Sequence, residues 1–362
     1  MTQFASCIIE WQRRHGRHDL PWQNTRDPYA IWLSEVMLQQ TQVATVIPYF
    51  QRFIARFPDI ASLAAAEENE VLRHWSGLGY YSRGRNLHRA AKLIMATHGG
   101  CFPRERVDIE SLPGIGRSTA AAIAGFAFGA RAAILDGNVK RVLARHFAVE
   151  GYPGERQAEQ ALWSLAESLL PAADSEAYIQ GLMDLGATLC TPRKPRCDVC
   201  PLRTSCAAWA QRRVHELPTP KSRKQLPTRE TVMLILKHEQ EVLLQKRPAV
   251  GIWGGLWSFP ECSDVDEAVR LAQRAFDCEI EKTEVLGILK HSFTHFHLHI
   301  TPLLLHVARR IPRAAQPGVV WLVVGEALND ALPTPAKKLL RALGSSAAAN
   351  QSALFEEALQ DF

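Results

Sequence analysis

Four of the eight cysteines fall within seventeen residues, as Cys190-x6-Cys197-x2-Cys200-x5-Cys206. Four thiolates on a short loop can surround one metal centre, and the C-x2-C pair sets two ligands side by side. Zinc and a [4Fe-4S] cluster both accept four sulfurs. A zinc ribbon usually brings two C-x2-C pairs where this loop has one, which favours the cluster. Cys7, Cys101, Cys262 and Cys278 are scattered. A disulfide framework suits a small secreted chain, whereas a tight cysteine cluster in a chain of 362 residues points to metal.

Two further segments carry groups that could bind or react. Leu112-Pro-Gly-Ile-Gly-Arg-Ser-Thr119 precedes a small-residue apolar run from Ala120 to Phe128. Pro113 stiffens its entry, Gly114 and Gly116 permit close backbone approach, and the amides that follow point outward from a helix N-terminus. Such a hairpin can hold a phosphate without reading its base; an ordinary helix–turn–helix connection is the plainer alternative. Glu35 sits among apolar neighbours in Trp32-Leu-Ser-Glu-Val-Met-Leu-Gln-Gln-Thr41. Desolvation there raises a carboxyl above its usual value of about 4.3 and keeps it available as an acid.

The elements that must position these groups divide the chain in two. From Phe4 to about Trp209 the apolar spacing is helical, with an amphipathic face at Val139, Val142 and Leu143. The segment 216–228 holds Pro218, Pro220 and Pro227 among Lys, Arg, Ser and Thr, and reads as an exposed basic linker. Beyond it, Thr231–Leu236, Glu241–Leu244, Phe296–Ile300 and Val319–Val324 read as strands, with a helix near Asp264–Phe276. The expected domains are therefore 1–215, including the cysteine loop 190–206, and an α+β domain over 229–344. Residues 345–362 read as a frayed tail. Net charge is +5, which permits a polyanionic partner without establishing one. Arg193, Lys194, Arg196, Arg203, Arg212, Arg213, Lys221, Arg223 and Lys224 concentrate that charge around the cysteine loop and linker. No stretch of about 18 apolar residues and no secretory leader is seen, so a cytoplasmic chain without membrane association is expected.

The cysteine loop, the Leu112–Thr119 hairpin and Ile134-Leu-Asp-Gly-Asn-Val-Lys140 occur together, and that combination resembles the helix-hairpin-helix DNA glycosylase superfamily that includes endonuclease III. The likeness covers roughly Trp11 to Trp209. It implies a mainly α domain, a single [4Fe-4S] cluster on Cys190, Cys197, Cys200 and Cys206, and Asp136 as the carboxylate facing the target sugar. It also implies a basic cluster loop, Lys140 and a hairpin, with Gly114, Gly116 and Ser118, that contact DNA. Bifunctional members carry a lysine after the hairpin that forms a Schiff base with the sugar. Here the matching residue is Ser118, which implies base removal without efficient strand cleavage; Lys140 is the nearby amine.

The segment around Glu35 resembles the signature of the MutY-type adenine glycosylases. That resemblance implies that Glu35 protonates a flipped adenine at N7 and that anionic Asp136 stabilises the sugar cation. Gln40 and Thr41, with Leu78 and Tyr80 of Leu78-Gly-Tyr-Tyr81, are similar to the elements that wedge the duplex open in that family. The second domain, through Leu243–Pro248, Gly251–Pro260 and Phe293-Thr-His295, resembles the MutT/Nudix-like C-terminal domain of the same enzymes. Gly255 and Glu261 open a pyrophosphohydrolase box, but the glutamates it needs are absent around Val269–Arg274, so recognition without hydrolysis is implied. Phe293, Thr294 and His295 would read 8-oxoguanine, with threonine where the family has serine. The alternating His291, His297 and His299 read as strand residues rather than metal ligands. The implied partner is double-stranded DNA holding 8-oxoG:A or G:A mispairs, bound by a monomer that is nucleoid-associated while on DNA. An endonuclease III-like lyase, a non-catalytic DNA-binding protein and a nucleotide-pool pyrophosphohydrolase fit fewer of these motifs.

Overall fold

A computed structural model describes residues 2–222, 225–310 and 316–345. Backbone contacts divide the chain into two compact units, Met1–Ala65 with Asn86–Arg223, and Ala66–Arg85 with Lys224–Phe362. Arg223, Lys224 and the tail beyond 345 lie outside the described residues.

The regular elements among the first unit's described residues are all helices. Pro28–Leu38 starts at an Asp27 cap, whose carboxylate accepts from the amides of Tyr29 and Ala30, and Pro28 fills the first helical position. Ile31, Trp32, Leu33, Val36 and Met37 are buried, so this helix carries Glu35 into an apolar interior. It packs on Arg117–Phe128, whose alanines allow close approach. Gly137–His146 packs on Ser175–Thr188, which also meets Gln3–His15. Ile8, Val139, Leu143, Leu162, Tyr178 and Leu185 form the shared core. Burying each such aliphatic side chain stabilises by about 1.5–3 kcal/mol, which fixes the helices that carry the site.

The second unit is built on an eight-stranded mixed sheet. Its central strand, Thr228–His238, runs parallel to His297–Arg310 and antiparallel to Glu241–Lys246. Val232 to Leu236 are all buried because both sheet faces are covered. Met233 and Ile235 pack with Leu256, Phe259 and Leu340, while Val232, Leu234 and Leu236 pack under Ala268 and Ala272 of the helix Val265–Phe276. The short helix Glu68–Trp75 shares this core through Leu72, and Arg73 pairs with Asp330. Residues 66–85 therefore group with the sheet rather than with the helices that flank them in sequence.

The strands differ from the sequence-based expectation in several places. The strand expected over Phe296–Ile300 runs from His297 to Arg310, straight through Pro302. Proline normally argues against a central strand, yet Pro302 lies opposite Met233 and its carbonyl accepts from Leu286. Strands at Cys278–Val285 and Leu289–Ser292 lack clean alternation in the sequence and pair with that longer strand. Val319–Val323 stops one residue early because Val324 begins a short helix.

Candidate active site and cysteine loop

Glu35 and Asp136 line one cavity of about 1210 Å3 within the first unit, together with Gln39, Gln40, Thr41 and Ser118. Burial, with the Asp136 charge second, pushes the Glu35 carboxyl up to about 8. Glu35 keeps only a partial opening, toward the cavity. The result is a carboxylic acid held protonated at neutral pH and facing a space able to take a nucleobase.

Asp136 is the N-cap of Gly137–His146. One of its oxygens accepts from the Val139 amide at 2.8 Å, the other from Asn138 Nδ2 at 3.1 Å. Burial raises its pKa, and these hydrogen bonds pull it back. Helix N-terminal amides favour a negative charge at this position, so the two carboxyls are driven apart in character, one acid and one anion. Ser118 accepts from the Leu135 amide at 2.9 Å, one residue before Asp136, and so anchors the segment that delivers it. Lys140 points elsewhere: its ammonium meets Glu159 at 2.5 Å, and it is absent from the cavity lining.

The hairpin links Arg106–Ser111 to Arg117–Phe128. Gly114 has φ +82°, and a Cβ there would lie 2.8 Å from that of Asn86, so no other residue fits without a shift. Gly116 caps the second helix and faces open space, which leaves room for a phosphate. Gln39 Nε2 reaches the Gly114 carbonyl at 3.4 Å. Gln40, exposed at the end of the glutamate-bearing helix, takes a left-handed φ of +58°.

Cys190, Cys197, Cys200 and Cys206 line a single small cavity with Trp209 and Val214. Among the described residues no three His, Cys, Asp or Glu groups converge as a mononuclear ion would require. Sulfurs spread around a cavity suit a polynuclear centre, which takes one thiolate at each iron. Burial pushes the Cys200 thiol up to about 12 and also raises Cys197 and Cys206. Four thiolates at this spot are therefore costly unless positive charge offsets them, which the iron ions of an iron–sulfur cluster would supply.

Arginines that the sequence reading passed over organise this loop. Arg145 donates to the carbonyls of Thr191, Pro192 and Leu217 and to Cys190 Sγ at 3.4 Å. Arg141 spans Cys190 O at 2.7 Å and Asn138 Oδ1 at 2.8 Å, joining the cysteine loop to the Asp136 cap. Their only sequence signal is position, one and two turns into the helix that Asp136 begins. Of the basic run, Arg193, Lys194, Arg196 and Arg212 are exposed, while Arg213 is held by Glu150 and Glu216.

In the second unit, Phe293, Thr294 and His295 form the tip between the paired strands Leu289–Ser292 and His297–Arg310. Thr294 and His295 are exposed, with Thr294 Oγ1 and His295 Nδ1 3.4 Å apart. Phe293 stacks on Phe296 at 4.6 Å and closes the turn through its amide to the Phe296 carbonyl. Glu261 is tied to Arg247 at 2.5 Å, and Arg270, Gln273 and Arg274 stand exposed on the following helix. Leu78 is buried, while Tyr80 is 45% exposed.

Three family models match the chain: the HhH-GPD superfamily base excision DNA repair protein over residues 33–168, the iron-sulfur binding domain of endonuclease III over 190–206, and the NUDIX domain over 231–342. The chain is 37% identical to an adenine DNA glycosylase of Buchnera aphidicola, over 93% of this chain and 96% of that one. It is 34% identical to the adenine DNA glycosylase of Homo sapiens, over 94% of this chain and 74% of that one. The solved structure of a thermostable thymine-DNA glycosylase superposes with a TM-score of 0.53 at 33% identity, covering 57% of this chain and 95% of that one.

Proposed function

As the chain belongs to the adenine DNA glycosylase family of base excision repair, we propose that it hydrolyses the N-glycosidic bond of adenine opposite 8-oxoguanine or guanine, without efficient strand cleavage. The observation that carries this is the pairing of Glu35, pushed up to about 8, with the capped Asp136 in one cavity. Glu35 gives its proton to adenine N7, and the C1′–N9 bond breaks with its electron pair leaving on the base. The Asp136 carboxylate stabilises the positive charge that develops on the sugar. Water then attacks C1′, and its proton returns to the Glu35 carboxylate. Ser118 has no amine to form an imine, and the Lys140 ammonium is occupied by Glu159.

The [4Fe-4S] cofactor is held by Cys190, Cys197, Cys200 and Cys206 in this proposal; it supplies a fixed charge and a cross-link to the loop carrying Arg193, Lys194 and Arg196. Gly114, Gly116 and the amide of Ser118 meet the phosphate backbone. Gln40, Thr41, Leu78 and Tyr80 offset unstacking of the target base, and Phe293, Thr294 and His295 read the opposite base. Single-turnover adenine release from 8-oxoG:A, G:A and T:A duplexes tests the assignment. Release is expected from the first two, with Glu35→Gln slower by at least about 100-fold, the lower end of the range for loss of a general acid. Absence of release from 8-oxoG:A, or a strong borohydride-trapped adduct, would contradict it.

A further inference from the structure

We propose that Arg83 is the positioning residue that holds Tyr80 in its inserting conformation; this rests on Tyr80 acting as a wedge. The Arg83 side chain is 8% exposed, an unusual place for a guanidinium. Its Nη2 donates to the carbonyls of Leu78 at 3.1 Å and Gly79 at 3.2 Å, the two that lead into Tyr80. Trp75 Nε1 donates to the same Gly79 carbonyl at 3.3 Å. The guanidinium carbon also lies 5.5 Å from the Trp75 ring and 5.4 Å from the Tyr80 ring. Finally, the Arg83 amide donates to the Tyr80 carbonyl at 2.9 Å.

Tyr80 is a non-glycine residue with φ +46°, a conformation that persists only where its surroundings impose it. Arg83 does so from both sides, fixing the carbonyls before Tyr80 and lying over its ring, so that the exposed tyrosine is presented in one orientation. Burial draws the Arg83 pKa down to about 10, which leaves it charged at neutral pH. Lysine is a poor substitute because a compact ammonium cannot bridge two carbonyls while lying flat against two rings.

The test compares Arg83→Lys, Tyr80→Ala and the double variant on an 8-oxoG:A duplex with 2-aminopurine beside the target adenine. Each single variant is expected to lose about tenfold or more in single-turnover release and to show a reduced fluorescence rise on binding. The double variant is expected to be no worse than Tyr80→Ala, because Arg83 acts through Tyr80. A loss in the double variant equal to the product of the two single losses would overturn the proposal, as would an undiminished fluorescence rise in Arg83→Lys. If Tyr80→Ala itself unstacks and releases adenine normally, the wedge assignment fails and the Arg83 role falls with it. Melting temperature and cluster absorbance near ~400 nm verify folding, and Arg83→Gln carries the same comparison if Arg83→Lys does not fold.

Discussion

A carboxyl whose pKa rises from 4.5 unfolded to about 8 folded makes the protein less stable once it ionises. The folded state binds that proton more tightly than the unfolded chain, so stability falls as pH climbs from about 4.5 to about 8 and levels off above. Glu35→Gln removes this liability. Its melting temperature should exceed that of the wild type by a few degrees near pH 8 and by much less near pH 5, at about 2–4 °C per kcal/mol. A wild-type advantage that grows with pH would contradict the buried acid with its raised pKa. The sequence already marked Glu35, because an acid inside an apolar run stands out locally, whereas Asp136 was marked only through the family resemblance. Arg141 and Arg145 did not stand out, since each acts through backbone carbonyls distant in sequence.

The hairpin and the strands differ in how far neighbours in sequence explain them. Leu112–Thr119 is self-explanatory: Gly114 takes a positive φ against Asn86, and Gly116 opens a helix toward empty space. The two glycines should therefore separate experimentally. Gly114→Ala is expected to lower the melting temperature because its Cβ strikes Asn86. Gly116→Ala, where the Cβ meets nothing and only a favourable N-cap is lost, should lower melting less but weaken DNA binding about tenfold by crowding the phosphate; equal melting losses would refute the distinction. The sheet is less self-explanatory. Pro302 reads as a stop, yet ten residues of His297–His306 pair with Thr228–Lys237, and tertiary pairing outweighs the local signal. Helix Glu68–Trp75 likewise looks like one more helix of the first unit, and only Leu72 in the sheet core and Arg73 on Asp330 reveal its company.

Across the chain, a helical unit with two carboxyls in one cavity is joined to a sheet unit that matches the NUDIX domain and has no glutamate over Val269–Arg274. Under the proposed function, chemistry belongs to the first unit, and choice of the opposite base to the Phe293–His295 tip of the second. No helix among the described residues is long and apolar enough to cross a membrane. Adenine release by this route requires Glu35 to deliver a proton while Asp136 stays ionised. The pH dependence of single-turnover adenine release from an 8-oxoG:A duplex reads that directly. The rate should hold through neutrality, fall about tenfold per pH unit above about 8 as Glu35 ionises, and fall in acid as Asp136 protonates above its ordinary 3.8. A rate that stays level or rises beyond about pH 9 would contradict it.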